Sequence, residues 1–360
     1  MLYLSITNGW GMVTDHYEEL AEALNKLPNG FPRTESKVEI KILQKIFTSD
    51  EAALASKLGR EYETLTQIMK RAQLPEEQVK AMLDSMADRG LLWSSVSSER
   101  TYRLAPWIVG IYESQVDSMD HEFAHLIERY FDEGGAAGIM KPYPAIHRVV
   151  PARGAAKTEW VLPYDDVKLI LESKKSFRNN RCICKAQQEL IGAKKCSFPL
   201  DLCISFSSEE PHRPGDLTKE EAIKLLDRAE ELGLVHTVSN VINGVGYVCN
   251  CCGCCCGVLR GITDYGIDSS VAHANYFAEV DEDTCIACGL CTDRCQVGAI
   301  SLENGKAEIN RNKCIGCGLC ASKCPTSAAK LTPKPKGMIV EPPVDFKEWE
   351  KARLHSRGLV

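Results

Sequence analysis

Two runs of cysteines near the C-terminal end have spacings suited to holding metal: Cys285, Cys288, Cys291 and Cys295, then Cys314, Cys317, Cys320 and Cys324. A cubane of iron and sulfide wants thiolates from different directions. Three of them close along a tight loop cap one face, and the fourth must come from elsewhere. Two such runs therefore encode two clusters. A zinc site or a disulfide framework accounts for them poorly, because zinc sites rarely use four-cysteine runs in tandem.

The two runs belong to an internal repeat. Ala278-Glu279-Val280-Asp281 precedes the first run at the offset at which Ala307-Glu308-Ile309-Asn310 precedes the second. Gly289 and Gly318 sit inside the loops, where a missing Cβ lets the backbone approach a cluster and turn its N–H groups toward sulfur. Over residues 278–333 the pattern resembles bacterial-type ferredoxins with two [4Fe-4S] clusters. The resemblance implies that the last cysteine of each run crosses over, giving one cluster on Cys285, Cys288, Cys291 and Cys324 and another on Cys314, Cys317, Cys320 and Cys295. One departure stands out. Pro325 follows Cys324 as the family pattern expects, but Gln296 follows Cys295, and a polar residue there changes solvent access and hence potential.

Ten cysteines remain, of the eighteen in the chain: Cys182, Cys184, Cys196, Cys203, Cys249, Cys251, Cys252, Cys254, Cys255 and Cys256. Two further cubanes would leave two thiols over, whereas two five-cysteine non-cubane clusters would use all of them. Adjacent side chains of an extended chain point to opposite faces, so the tract 249–256 suits straddling two centres better than ligating one. The expectation is one or two further [4Fe-4S] or non-cubane clusters. Cys182, Cys184, Cys196 and Cys203 form the tidiest set from one group, although sharing between groups would better explain a helix clamped between them. Cys251-Cys252-Gly253 resembles the Cys-Cys-Gly motif of heterodisulfide-reductase-like proteins, but the flanking spacings depart from that family. A zinc or copper thiolate site and redox-sensing thiols stay open as alternatives.

Basic residues flank the first group: Lys174, Lys175, Arg178, Arg181, Lys185, Lys194 and Lys195. They either favour thiolates and an anionic cluster or form a solvated or docking face. His121 and His125 are an i,i+4 pair without an accompanying acid motif, so solvent or core packing accounts for them better than a metal does. His236 reads as a core residue.

The elements that must position these groups point to an α+β chain. Its 360 residues suffice for two or three cored domains, and the composition, 44% apolar and 26% charged, is that of a globular protein. The expected organisation is an N-terminal segment (1–36), a winged-helix-like α domain with a long helix (37–137), a small cysteine-rich α+β middle domain (138–277), the ferredoxin-like domain (278–333) and a C-terminal tail (334–360). Helices are expected over 37–47, from 49, from about 60 and over 75–90, then a hairpin over 91–104 and an amphipathic helix over 107–133. Residues 138–153, rich in proline, read as an extended linker. In the middle domain, helices over 164–172 and 218–232 and strands over 234–239 and 244–249 are expected.

No nucleotide-binding, nicotinamide-binding, hydrolase or zincin motif occurs. The chain looks like a relay: a cytoplasmic iron–sulfur electron-transfer subunit of an anaerobic oxidoreductase complex. The start of the chain shows no secretory signal, and no stretch suits a membrane span. The formal charge of −6 and the acidic would-be recognition helix over 76–89 disfavour nucleic acid. Partners are expected to be redox protein subunits, reached through the tail, unless that tail folds back on the ferredoxin domain. A redox-sensing winged-helix regulator and an enzyme with a non-cubane site are the alternatives.

Overall fold

A computed structural model describes residues 15–96, 99–155 and 162–360. The start of the chain, where a leader was sought, and residues 97 and 98 in the turn of the expected hairpin lie outside the described residues.

The N-terminal part begins with α1 (His16–Asn25), capped by Asp15, then α2 (Val38–Ile46) and α3 (Ser49–Ala55). Thr48 and Glu51 close a capping box on α3, reciprocally satisfying its first free N–H groups. Next come β1 (Glu63–Thr64), α4 (Leu65–Met69), α5 (Glu76–Asp88), β2 (Leu92–Val96) and β3 (Arg100–Leu104). The third helix starts later than about residue 60, because Thr64 and Gln67 form its capping box while Glu63 and Thr64 pair with Tyr102 and Thr101. The three strands lie in the order β1-β3-β2.

The single amphipathic helix expected over 107–133 is not what forms. Residues 108–110 leave helical backbone angles, and α6 (His121–Tyr130) starts afresh where Asp120 accepts the Phe123 N–H at 2.7 Å. Gly134, at φ 108°, separates α6 from α7 (Ala136–Met140). Phe31 holds this junction, its ring centroid 5.3 Å from Trp107 and 5.2 Å from Tyr130.

The middle part carries β4 (His147–Val150), α8 (Val167–Glu172), β5 (Ser176–Asn180), α9 (Ile183–Leu190), β6 (Cys203–Ser207), α10 (Lys219–Leu232), β7 (Val235–Ser239), β8 (Tyr247–Cys251), α11 (Gly257–Thr263) and β9 (Val271–Ala272). Six strands form one sheet in the order β5-β6-β8-β7-β4-β9, antiparallel except for β4 with β9. Part of the expected linker is therefore a fully buried strand, β4, in this sheet. Flanking prolines and the buried polar side chains His147 and Arg148 disguise its apolar character. Helix α10 follows its expected course, with a Thr218–Glu221 capping box and Gly233 left-handed at the C-terminal end.

The last part contains β10 (Tyr276–Val280), α12 (Leu290–Arg294), β11 (Ile300–Glu303), β12 (Lys306–Ile309), β13 (Ala329–Pro333) and α13 (Phe346–Ser356). Strands β10 and β13 pair antiparallel, as do β11 and β12. The tail does not fold onto this module. Helix α13 packs against the N-terminal part and residues 139–145: Trp349 donates to the Ala145 carbonyl at 3.0 Å, and Glu350 pairs with Arg103 at 3.2 Å. Arg353, wholly buried, donates to the carbonyls of Pro28, Pro142, Pro144 and Ile139. Of the tail's apolar residues, Trp349 and Leu354 are thus buried within the chain, while Met338, Val340, Val344 and Phe346 remain exposed.

Candidate metal centres

In the C-terminal module, Cys285, Cys288, Cys291 and Cys324 surround one small apolar cavity, together with Val280, Leu302 and Ala307. The thiol of Cys295 lies on the other side, among Cys314, Cys317 and Cys320. The last cysteine of each run accepts a backbone N–H just downstream, Cys295 from Ala299 at 3.1 Å and Cys324 from Ala329 at 3.3 Å. Such N–H groups stabilise charge on sulfur. Burial pushes the Cys317 thiol well up and that of Cys320 up to about 12, with neighbouring thiols adding to the effect.

The two loops are built alike but packed differently. Gly316, at φ 71°, turns where a Cβ would fall 2.6 Å from the Tyr276 carbonyl oxygen. Its counterpart in the repeat, Ala287, holds φ 53° in the same run position, on a more exposed loop.

The residue that departs from the ferredoxin pattern has a structural task. The Gln296 side chain accepts the Gly253 N–H at 2.9 Å and donates to the Gly233 carbonyl at 2.9 Å. A proline could do neither. Gly253 is required in turn, since a Cβ there would collide with the Gln296 carbonyl oxygen. Arg294 reinforces the joint by donating to the carbonyls of Glu230, Glu231 and Leu319, and Ala152 donates to the Cys317 carbonyl at 2.8 Å. The Cys295 side of the module is therefore locked against the cysteine tract of the middle part.

The ten middle cysteines separate into two sets. Cys196, Cys252, Cys254 and Cys255 bring their sulfurs within 4.8 Å of one another. The other six lie near enough to influence one another in a ring: Cys182 with Cys184 and Cys203, Cys184 with Cys256, Cys256 with Cys251, Cys251 with Cys249, and Cys249 with Cys203. The neighbouring thiols of Cys184 and Cys203 hold the Cys182 thiol well below its usual range, and Cys182 in turn pushes those two up. The ring lies at one end of three neighbouring strands, where β5 ends, β6 begins and β8 ends. Cys249 and Cys251 share a face of β8, and the intervening Asn250 faces the other way. Within the tract, Cys251 and Cys252 fall to different sets, as do Cys255 and Cys256.

Between the sets lies Lys185, fully buried, its ammonium donating to the Asn250 carbonyl at 3.1 Å. Burial alone would depress it, but Cys182, Cys203, Cys252 and Cys251 outweigh that and keep it protonated. Asn250 also meets His236 Nδ1 at 2.6 Å and donates to the Leu202 carbonyl. In the sequence Lys185 is one cation of a basic run; its place one residue after Cys184 is the signal that singles it out. His121 and His125 stack edge to face at 4.5 Å on an exposed surface and join no metal-type group among the described residues.

A cavity of about 510 Å³ is lined by Tyr62, Trp93, Glu113, Tyr247 and Phe346 among others, and no cysteine is among its lining residues. Burial pushes the Glu113 carboxyl up to about 7 although it accepts the Gly110 N–H, and Cys182 adds to the rise.

No curated protein and no solved structure matches the chain. No helix among the described residues is long and apolar enough to cross a membrane. Residues 278–331 match the family model of the 4Fe-4S dicluster domain, so the C-terminal module is a ferredoxin-type 4Fe-4S domain and the chain carrying it is an iron–sulfur electron-transfer protein.

Proposed function

We propose that the chain relays electrons within an oxidoreductase complex through two [4Fe-4S] clusters and a third iron–sulfur centre held by the six-cysteine ring. One cluster takes Cys285, Cys288, Cys291 and Cys324, and the other takes Cys314, Cys317, Cys320 and Cys295. The reading is carried by the Gln296 joint, which sets the Cys295 cluster against the cysteine tract and leaves the other cluster, with its exposed Cys288, for an outside donor or acceptor. Electrons would enter at the exposed cluster, pass to the Cys295 cluster and continue to the ring. Lys185 would offset the negative charge that six thiolates and a reduced centre accumulate.

The N-terminal part is proposed to be a winged-helix-like domain reused for packing. Asp84 of α5 is engaged by Arg100 at 2.7 Å and by the Tyr102 hydroxyl at 2.6 Å, so part of the face that would meet a phosphate backbone is spent on the neighbouring hairpin. An anaerobic reductive titration tests the relay. Uptake beyond the capacity of two ferredoxin clusters is expected; uptake limited to those two would contradict it.

The cavity, whose lining residues Glu113 and Tyr247 lie within electrostatic reach of Cys182 and Cys249, favours a second reading, in which the ring centre reduces a small substrate bound there. Substrate turnover by the isolated, reduced protein would support it, and none with any partner-free acceptor would leave the relay reading alone.

A further inference from the structure

We infer that Cys196, Cys252, Cys254 and Cys255 hold a single tetrahedrally coordinated thiophilic ion, zinc or iron, and not an iron–sulfur cluster. The ground is sulfur spacing. A metal–thiolate bond of about 2.3 Å at tetrahedral angles sets neighbouring sulfurs about 3.8 Å apart. Here Cys196 lies 3.9 Å from Cys252 and 3.8 Å from Cys255, while Cys254 lies 3.8 Å from Cys252 and 3.6 Å from Cys255. A cubane, with four irons and their sulfides between its ligands, needs thiolates considerably further apart. The same molecule supplies the contrast: among the described residues, neither the ferredoxin-type cysteines nor the ring forms so close a set.

The surroundings are those of a closed site. Cys252 and Cys255 are buried and pack with Leu202, Ala229 and Leu234, with Phe198 and Leu225 alongside. Four thiolates fill the tetrahedron and leave no position for water, which distinguishes a staple or a one-electron carrier from a Lewis acid. The staple has something to fix. Cys196 stands in the middle of residues 193–202, which have no regular secondary structure, and joins them to the turn that Gln296 ties to the ferredoxin-type module. Lys195 in that segment is exposed, and Lys194 pairs with Glu189 at 2.9 Å. The inference does not depend on what the six-cysteine ring holds.

The test uses the full chain purified without oxygen. Metal analysis by mass spectrometry and acid-labile sulfide are measured on the wild type and on Cys196→Ser and Cys254→Ser. The wild type is expected to carry either one zinc per chain or iron exceeding sulfide by one, and each variant to lose that ion alone, with the reduced-cluster EPR unchanged. Trypsin should then cut faster after Lys194 and Lys195. Zinc would make the site a staple, and sulfide-free iron a carrier. Loss of about four irons with matching sulfide would overturn the inference in favour of a cubane, as would no change in metal. Should the variants fail to fold, growth of the wild type on cobalt gives an independent reading: tetrahedral thiolate cobalt bands support the site, and their absence from a cobalt-grown protein without zinc overturns it.

Discussion

Single side chains decide how the centres are separated and joined. If the proposed crossed ligation holds, replacing Cys295 by Ala should remove the cluster of the second run and spare that of the first; iron loss and EPR change assigned to the first run's cluster would contradict the crossed set. Gln296→Ala strips two hydrogen bonds from the joint. It should cost about 1–3 kcal/mol in denaturant unfolding, and an unchanged midpoint would show that the joint is held elsewhere. His147 gives a pH test. Burial pulls its imidazole down to about 4, and among the described residues neither ring nitrogen has a hydrogen-bond partner. The unfolded chain then binds a proton more readily, so this residue's contribution is present above about pH 6.5 and is lost as pH falls through about 4. His147→Phe should therefore flatten stability against pH in that window, by up to about 3 kcal/mol, in unfolding followed by circular dichroism; parallel curves would contradict this. The ferredoxin-type cysteines were legible in the sequence because cluster chemistry dictates their spacing. Lys185 and the bridging role of Gln296 were not, since each depends on residues that only the fold brings near.

At the scale of elements, regular features announced themselves and irregular ones did not. Helix α10 carries its own start and stop signals, Thr218 with Glu221 and Gly233, and forms where they fall. Strand β4 lacks such signals, being short, polar at His147 and Arg148, and bounded by prolines. The alternation of β8 foretold that the cysteine tract divides between two places, but the partners of each half come from α9, β6 and the loop between them. Helix α13 was legible as a helix and not as an internal strut, because its anchor is the buried Arg353 meeting four carbonyls from two distant segments. Arg353→Ala leaves those carbonyls unpaired and should cost about 3 kcal/mol or more, read as a lower Tm. An unchanged Tm would mean that the tail is dispensable to this chain and free for a partner.

Over the whole molecule, the parts fall into a sequence from surface to interior. An exposed cysteine loop leads to a second loop locked against the middle sheet, and behind that joint lie ten cysteines divided into a tight tetrad and a wider ring, with the buried Lys185 ammonium between them. Such an arrangement suits the proposed stepwise electron transfer. The most direct test is iron and acid-labile sulfide per chain on anaerobically purified protein, read with the low-temperature EPR of its reduced form. About twelve irons or more with magnetically interacting signals is the expected result, whereas about eight irons with only the ferredoxin-type signals would contradict a third centre and the relay built on it.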